Sequence, residues 1–231
     1  MSRRKTPAVK LTSAPHKVPP PLSQVPLRLW FTNKDNWEEF QKFYSKMPIL
    51  KPRYLSEGLL PEDKYLEFWR LLNFQGLRPI LFVRGRYYPH LMIAVAATLQ
   101  ILDGLYDKEG DGNFRMMFWL ADFKYTLLLG QLSSILGLEN SGALFKGRGE
   151  VPKKFESFSI ERAKQRLKVS SISGGKYSVS MMSTDRRLLH CMLSYVWLPR
   201  RGNHGAIIED DLIILWAMVK RIRLNWPYLI A

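Results

Sequence analysis

The segment WLPRRGNHGAIIEDD, residues 197–211, contains side chains that are able to perform chemistry. His204 is a candidate general base, and Glu209, Asp210 and Asp211 are candidate orienting or metal-binding carboxylates. On a helix, however, three adjacent side chains point about 100° apart, so these acids cannot converge on one ion without other ligands. Carboxylates also stabilise a helix N-terminus, and the glycines beside His204 suit a tight connection. The segment is therefore predicted to be a junction between two helices.

Other reactive constellations are equally weak. Cys191 follows His190, but neighbouring side chains on a helix diverge, and a lone cysteine is commonly a small core residue. Gly174-Gly175-Lys176 lacks the first glycine and the hydroxyl residue of a phosphate-binding loop. The histidines have no metal-ligand spacing, and a single cysteine excludes zinc fingers built from several thiolates. We predict no catalytic, cofactor-binding or metal-binding residues, and a protein that is not an enzyme.

Positive charge is concentrated in two blocks of the chain. Residues 1–34 hold seven Lys or Arg and no acid, and residues 145–200 hold twelve against four acids. Clustered cations bind phosphate backbones by counterion release, although they also serve as ordinary solvated surfaces. The candidate phosphate-binding residues are Arg3, Arg4, Lys5, Lys146, Arg148, Lys153, Lys154, Arg162, Lys164, Arg166 and Lys168. Phe155 and Phe158, which are interleaved with them, are candidates for base contacts or for the core.

The elements that must position these residues are mostly helices. Helices are predicted around Trp37, after Pro61 up to Gly76, after Pro89, from Thr126 to Gly137, over 160–168, from Ser183 or Thr184, from Glu209, and after Asn225. The stretch PHLMIAVAATLQIL is apolar on nearly all sides, so it is predicted to be the buried central helix. RMMFWLADFKY is the predicted hairpin, and SSISGGKYSVSMM a loop or edge strand.

The predicted fold class is mainly α: one helical domain over residues 29–231 with at most one small β-hairpin. Residues 1–28 form a disordered, basic, proline-rich arm in this interpretation, since prolines recur there without an apolar period. The chain stops one turn into the helix that LNWPYLIA opens, so the domain is expected to be truncated at its C-terminus.

Three segments resemble one known family. RGRYYPHLMIAVAATL, FKYTLLLGQLSSILGLENSG and RRLLHCMLSYVWLPRRGNHGAIIEDDLIILWAMVKRIRLNWPYLI are similar to motifs of the plant transposon protein domain, found in or beside the gag-like region of Athila-type, gypsy-class retrotransposons. The resemblance covers Trp37 to Ala231. Glu139 stands where the family has a proline after its ILGL motif. The resemblance implies a plant source and a structural, gag-like role, and it supplies no catalytic residue.

These observations lead to one leading hypothesis and two alternatives. We expect a non-enzymatic, retroelement-derived protein that contacts RNA or DNA phosphates and self-associates, without a cofactor, small-molecule substrate or membrane partner. The first alternative is a decayed fragment or protein–protein interaction module without nucleic-acid binding. The second is a transposase or other nuclease, which would need three carboxylates around metal ions on a sheet. The location is expected to be intracellular and soluble, in the nucleus or the cytoplasm.

Overall fold

The computed structural model describes residues 31, 34–44, 58–82, 88–102, 114–120, 123–147, 151–152, 155–199 and 204–231. The predicted arm at residues 1–28 lies outside these ranges. The part that is described contains helices connected by short strands. The helices are α1 Lys34–Glu39, α2 Leu66–Gln75, α3 Arg78–Leu81, α4 Pro89–Thr98, α5 Leu129–Leu136, α6 Ile160–Leu167, α7 Thr184–Met192, α8 Glu209–Val219 and α9 Trp226–Ile230. Helices α1 and α7 continue as π-helical turns, Phe40–Tyr44 and Leu193–Trp197.

Two three-stranded antiparallel sheets contradict the predicted fold class, which allowed at most one hairpin. The first sheet has the order β1 Gln100–Leu102, β2 Arg115–Leu120 and β3 Phe123–Leu128. The second has the order β4 Ser170–Ile172, β5 Lys176–Ser178 and β6 Ala206–Ile207. The protein is therefore a mixed α and β structure. Strands as short as β1 and β6 carry too few residues to show an alternating pattern.

The predicted hairpin is confirmed, and its second strand extends three residues beyond the predicted segment, to Leu128. Phe118 lies opposite Tyr125 and Leu120 opposite Phe123 in the antiparallel register. Strand β3 continues through Thr126, which had been predicted to cap the next helix; α5 begins instead at Leu129. At that helix start, the backbone N–H of Leu128 donates to Oε1 of Gln131 at 2.9 Å, so a glutamine side chain replaces the expected threonine cap.

Helix α8 is the centre of the hydrophobic core. Every residue from Leu212 to Met218 is buried, and side chains from α2, α6, α7 and α9 join the same cluster. Helix α4, which had been predicted to be the central helix, belongs instead to a smaller cluster formed by Phe31, Phe40, Ala94 and Ala97. Both helices are apolar all round, so the pattern alone did not distinguish them. Met92 of α4 is 51% exposed, which shows that one side of this helix faces solvent.

Several helix ends lie where local sequence signals placed them. Gly76 and Gly137 end α2 and α5 with left-handed backbone angles, φ 71° and 65°. Asn225 caps α9 by accepting a hydrogen bond from the backbone N–H of Tyr228 at 3.1 Å. Helix α2 begins later than predicted, at Leu66, because residues near Pro61 form turns.

A buried glutamine joins the end of α2 to the segment before α9. The amide of Gln75 donates to the carbonyl of Ile222 at 2.7 Å. Its Oε1 atom accepts hydrogen bonds from the backbone N–H of Leu224 and from the indole N–H of Trp226, both at 3.0 Å. These bonds compensate for burying the amide, which is only 5% exposed. They fix the segment after α8 relative to the end of α2.

Candidate nucleic-acid interface

Helix α6 presents two arginines on one side because of its apolar spacing. Ala163 and Leu167 are fully buried against α8, which orients the helix. Arg162 and Arg166, four residues apart and therefore on one face, are exposed. The hydroxyl of Ser159 caps the helix by accepting from the backbone N–H of Arg162 at 3.2 Å, and serine is a favoured residue at this position.

These arginines line a groove that runs between α6, α2 and the end of α8. One compartment, of about 500 Å³, is bordered by Ser157, Arg162, Gln165, Arg166, Trp216 and Lys220. The next compartment, of about 650 Å³, is bordered by Leu66, Glu67, Arg70, Leu71, Arg166, Val219, Lys220 and Arg221. Arg166 and Lys220 border both compartments. We call the two compartments together the basic groove.

The charge of the basic groove is strongly positive. Arg70, Arg162, Arg166, Lys220 and Arg221 are all exposed, so their charges are available to a ligand. The acid that lines the groove is Glu67, and its Oε1 atom accepts hydrogen bonds from Nε and Nη2 of Arg186 at 3.2 and 2.9 Å. Arg186 also donates to the backbone carbonyl of Arg166. One arginine of α7 therefore both neutralises the groove's acid and holds the last turn of α6.

The structure separates the other predicted cations that it describes from this groove. Lys164 pairs with Glu161 on α6 at 2.8 Å, and Lys168 ends the helix with a left-handed φ of 56°. Lys146 lies elsewhere, in a cavity of about 310 Å³ that it shares with Asp210 and Tyr228. Of the remaining candidates, Arg3, Arg4, Lys5, Arg148, Lys153 and Lys154 lie outside the described residues.

The two phenylalanines of the basic segment belong to the core. Phe155 is 3% exposed, and its ring lies 5.8 Å from that of Trp216. Phe158 contacts the same indole edge-on, at a centroid distance of 5.2 Å. They therefore support the wall of the basic groove from behind, since Trp216 lines it, and they do not offer faces for stacking a base.

Sequence reasoning missed Arg70, Lys220 and Arg221. The available signal was the run Lys220-Arg221-Ile222-Arg223, which directly follows the apolar helix α8. The sequence did not show where the side chains of this run point, because a positive φ of 57° at Arg221 turns the chain there. Arg223 points to a different place, where it pairs with Glu139 and lies over the ring of Phe74.

The candidate acid–base residues of the segment 197–211 do not come together in one site. His204 stacks on Tyr195 with a centroid distance of 4.3 Å. Asp211 is buried, and its Oδ2 atom lies 3.5 Å from Nε2 of His190, a histidine that is 2% exposed. This His190–Asp211 contact joins α7 to α8 inside the core. Strand β6 lies between the two helices, so the predicted simple junction includes a strand.

The described part of the chain shows neither a metal-binding cluster nor a membrane-spanning helix. Within it, no group of three or more His, Cys, Asp or Glu residues is arranged to hold a metal ion. None of the helices in those ranges has the length and apolar character needed to cross a bilayer.

Comparison of the chain with protein-family models finds no match, and comparisons with curated proteins and with solved structures find no similar protein.

Proposed function

We propose that this chain is a non-catalytic, gag-like protein of retroelement origin that binds the phosphate backbone of RNA or DNA through the basic groove. The retroelement origin is supported by the three sequence segments that resemble the plant transposon protein domain. The binding function is supported by one observation above all. Arg166 of α6 and Lys220, the residue directly after α8, border the same concave surface together with Arg70, Arg162 and Arg221.

A phosphate ligand requires cations that converge on one surface in this way. Cations spread over a convex surface each interact with separate counterions, whereas cations around a concave groove act on the same ligand and raise its local concentration. The guanidinium groups add paired N–H donors that match phosphate oxygens. Arg186 contributes by engaging Glu67, which removes the main source of repulsion within the groove.

Filter binding over a salt series tests this function. The affinity for labelled single-stranded RNA and DNA of the same sequence is measured for the wild type and for the double variant Arg166→Gln/Lys220→Gln. The matched control is Lys34→Gln/Lys124→Gln, which removes the same charge from α1 and β3. We expect wild-type affinity to fall steeply with salt, and the slope of log affinity against log salt to decrease by about 1–2 in the groove variant.

The control variant distinguishes the effect of the charges in the basic groove from the effect of the protein's net charge. If both double variants weaken binding equally, net charge and not the basic groove is responsible. If the wild type shows no binding at low salt, or binding that is independent of salt, the proposed function is wrong.

A protein–protein interaction module is the second candidate, and the first sheet favours it. Register places Ile101 beside Met116, Phe118 beside Tyr125, and Leu120 beside Phe123, all on one face. Phe123 is 67% exposed and Ile101 48%. Apolar groups on one exposed surface are typical of interaction sites. Sedimentation velocity over a concentration series tests it: a monomer at all concentrations would contradict self-association through this face, and Phe123→Ser should reduce any association observed.

A further inference from the structure

The two compartments of the basic groove are adjacent halves of one binding surface. Arg166 and Lys220 border both, Arg162 borders the first, and Arg70 and Arg221 border the second. A ligand with one phosphate can contact the central pair and one flank. A ligand with several phosphates in a row can contact the central pair and both flanks at once.

The size and lining of the compartments indicate which parts of a nucleotide, besides its phosphate, they can hold. Their volumes, about 500 and 650 Å³, lie within the range of sites that enclose organic ligands. Apolar side chains form part of the second compartment: Leu66 is 54% exposed there, beside Leu71 and Val219. Trp216 borders the first compartment but is only 1% exposed, so that compartment presents mainly polar and cationic side chains. The second compartment therefore offers cations for a phosphate and apolar surface, at Leu66, for a base, whereas the first offers cations for the neighbouring phosphate.

A duplex does not fit this combination, because its base faces are stacked on one another and only base edges and the sugar-phosphate backbone are presented to a protein. A single strand can turn its bases towards the walls of a groove while its phosphates follow the cations. We propose that the basic groove binds consecutive nucleotides of one single strand, with the phosphate between them held by Arg166 and Lys220. This inference rests on the proposed function and specifies the form of its ligand.

The experiment uses fluorescence anisotropy with the full chain and oligothymidylates of increasing length, from the mononucleotide upward, and a blunt duplex of mixed sequence. The variants are Arg162→Gln for the first compartment, Arg70→Gln for the second, and their combination. Lys124→Gln on β3 is the matched control. All three side chains are exposed, and thermal melting verifies that each variant folds.

We expect affinity to rise with length until both compartments are spanned. For such an oligomer, each groove variant should weaken binding about tenfold and reduce the salt slope by about one, and the two effects should multiply in the combination. The duplex should bind less tightly than the single strand at equal salt, and Lys124→Gln should have little effect.

Specific outcomes overturn the inference while leaving the proposed function intact. If only one of the two variants matters, or if the combination is no weaker than the stronger single variant, one strand does not span both compartments. If the duplex binds as tightly as the single strand, the ligand form is wrong. If no oligonucleotide binds the wild type in a salt-dependent manner, the proposed function itself fails.

Discussion

Asp185 caps helix α2 from 117 residues further along the chain: its Oδ2 atom accepts a hydrogen bond of 3.1 Å from the backbone N–H of Phe68. The residue before the helix, Tyr65, supplies no side-chain cap of its own. Asp185 also lies in the first turn of α7, where a carboxylate stabilises the helix N-terminus. The same carboxylate thus serves the starts of two helices. Together with the neighbouring Arg186–Glu67 pair, it fastens α7 to the helix that forms one side of the basic groove.

Removal of this cap should destabilise the protein measurably. Asp185→Ala is expected to lower the free energy of unfolding by about 1–2 kcal/mol, because the N–H of Phe68 loses its acceptor and α2 loses a carboxylate at its N-terminus. Asp185→Asn retains an acceptor and should cost less. Urea denaturation gives both values, with the exposed Asp63→Ala as control. Equal midpoints for Asp185→Ala and the control would refute the role of the cap.

Arg186 is expected to act on binding as a positioning residue. In Arg186→Gln, Glu67 loses its partner and presents a free carboxylate to the ligand, so affinity for a single-stranded oligonucleotide should fall about tenfold. Arg187→Gln removes the same charge from the next position of α7 and should have a smaller effect. The double variant Glu67→Gln/Arg186→Gln should recover part of the loss. A purely structural role predicts no recovery, and that result would contradict the electrostatic explanation.

Gly142 is required by a close approach of two backbone segments. Ala143 pairs with Leu224 in an isolated parallel bridge, and a Cβ atom at Gly142 would lie 2.7 Å from the carbonyl oxygen of Arg223. Its φ of 113° also disfavours any side chain. Gly142→Ala should therefore lower the free energy of unfolding by about 3 kcal/mol.

The control for this substitution lies in α5. Gly130 has open space around it and ordinary helical angles, so Gly130→Ala should raise stability by about 1 kcal/mol. Thermal and urea unfolding of Gly142→Ala and Gly130→Ala measure the sign and size of each change in the free energy of unfolding. A mild effect of Gly142→Ala, similar in size to that at Gly130, would mean that the bridge to Leu224 yields easily.

Cys191 provides a pH-dependent probe of the native state. Cys191 is an exposed residue, but partial burial of its thiol raises the pKa of Cys191 above the ordinary value, and the charge of Arg187 lowers it in part. Because the thiolate is the reactive form, alkylation by iodoacetamide near neutral pH should be slower in the native protein than in urea. Arg187→Gln should slow it further. Mass spectrometry follows the single cysteine over time, and identical rates for native and unfolded chain would contradict the raised pKa.

Local signals located many elements of this fold, because capping and termination depend on a few neighbouring residues. Gly76, Gly137 and Asn225 end or begin helices as predicted, and the hairpin of β2 and β3 follows from its apolar, β-prone sequence. The start of α2 was placed too early. Its cap is Asp185, which no window of sequence around Leu66 contains.

The basic groove could be predicted only in part. The sequence identified Arg162 and Arg166 as neighbours on one helical face, which the helical period ensures. It also assigned Lys164 and Lys168 to the same interface, although the structure pairs the first with Glu161 and uses the second to end α6. Arg70, Lys220 and Arg221 were overlooked, since their relation to α6 depends on how three helices pack.

The sequence by itself determined that helices predominate, where most of them end, and that positive charge is segregated into blocks, since these properties depend on local composition and period. The tertiary structure alone decided that short strands complete two sheets, that α8 and not α4 occupies the centre, and that cations of α2, of α6 and of the segment directly after α8 surround one groove. The physical reason is that pairing of short strands and burial of one apolar helix over another are settled by contacts between residues distant in the chain.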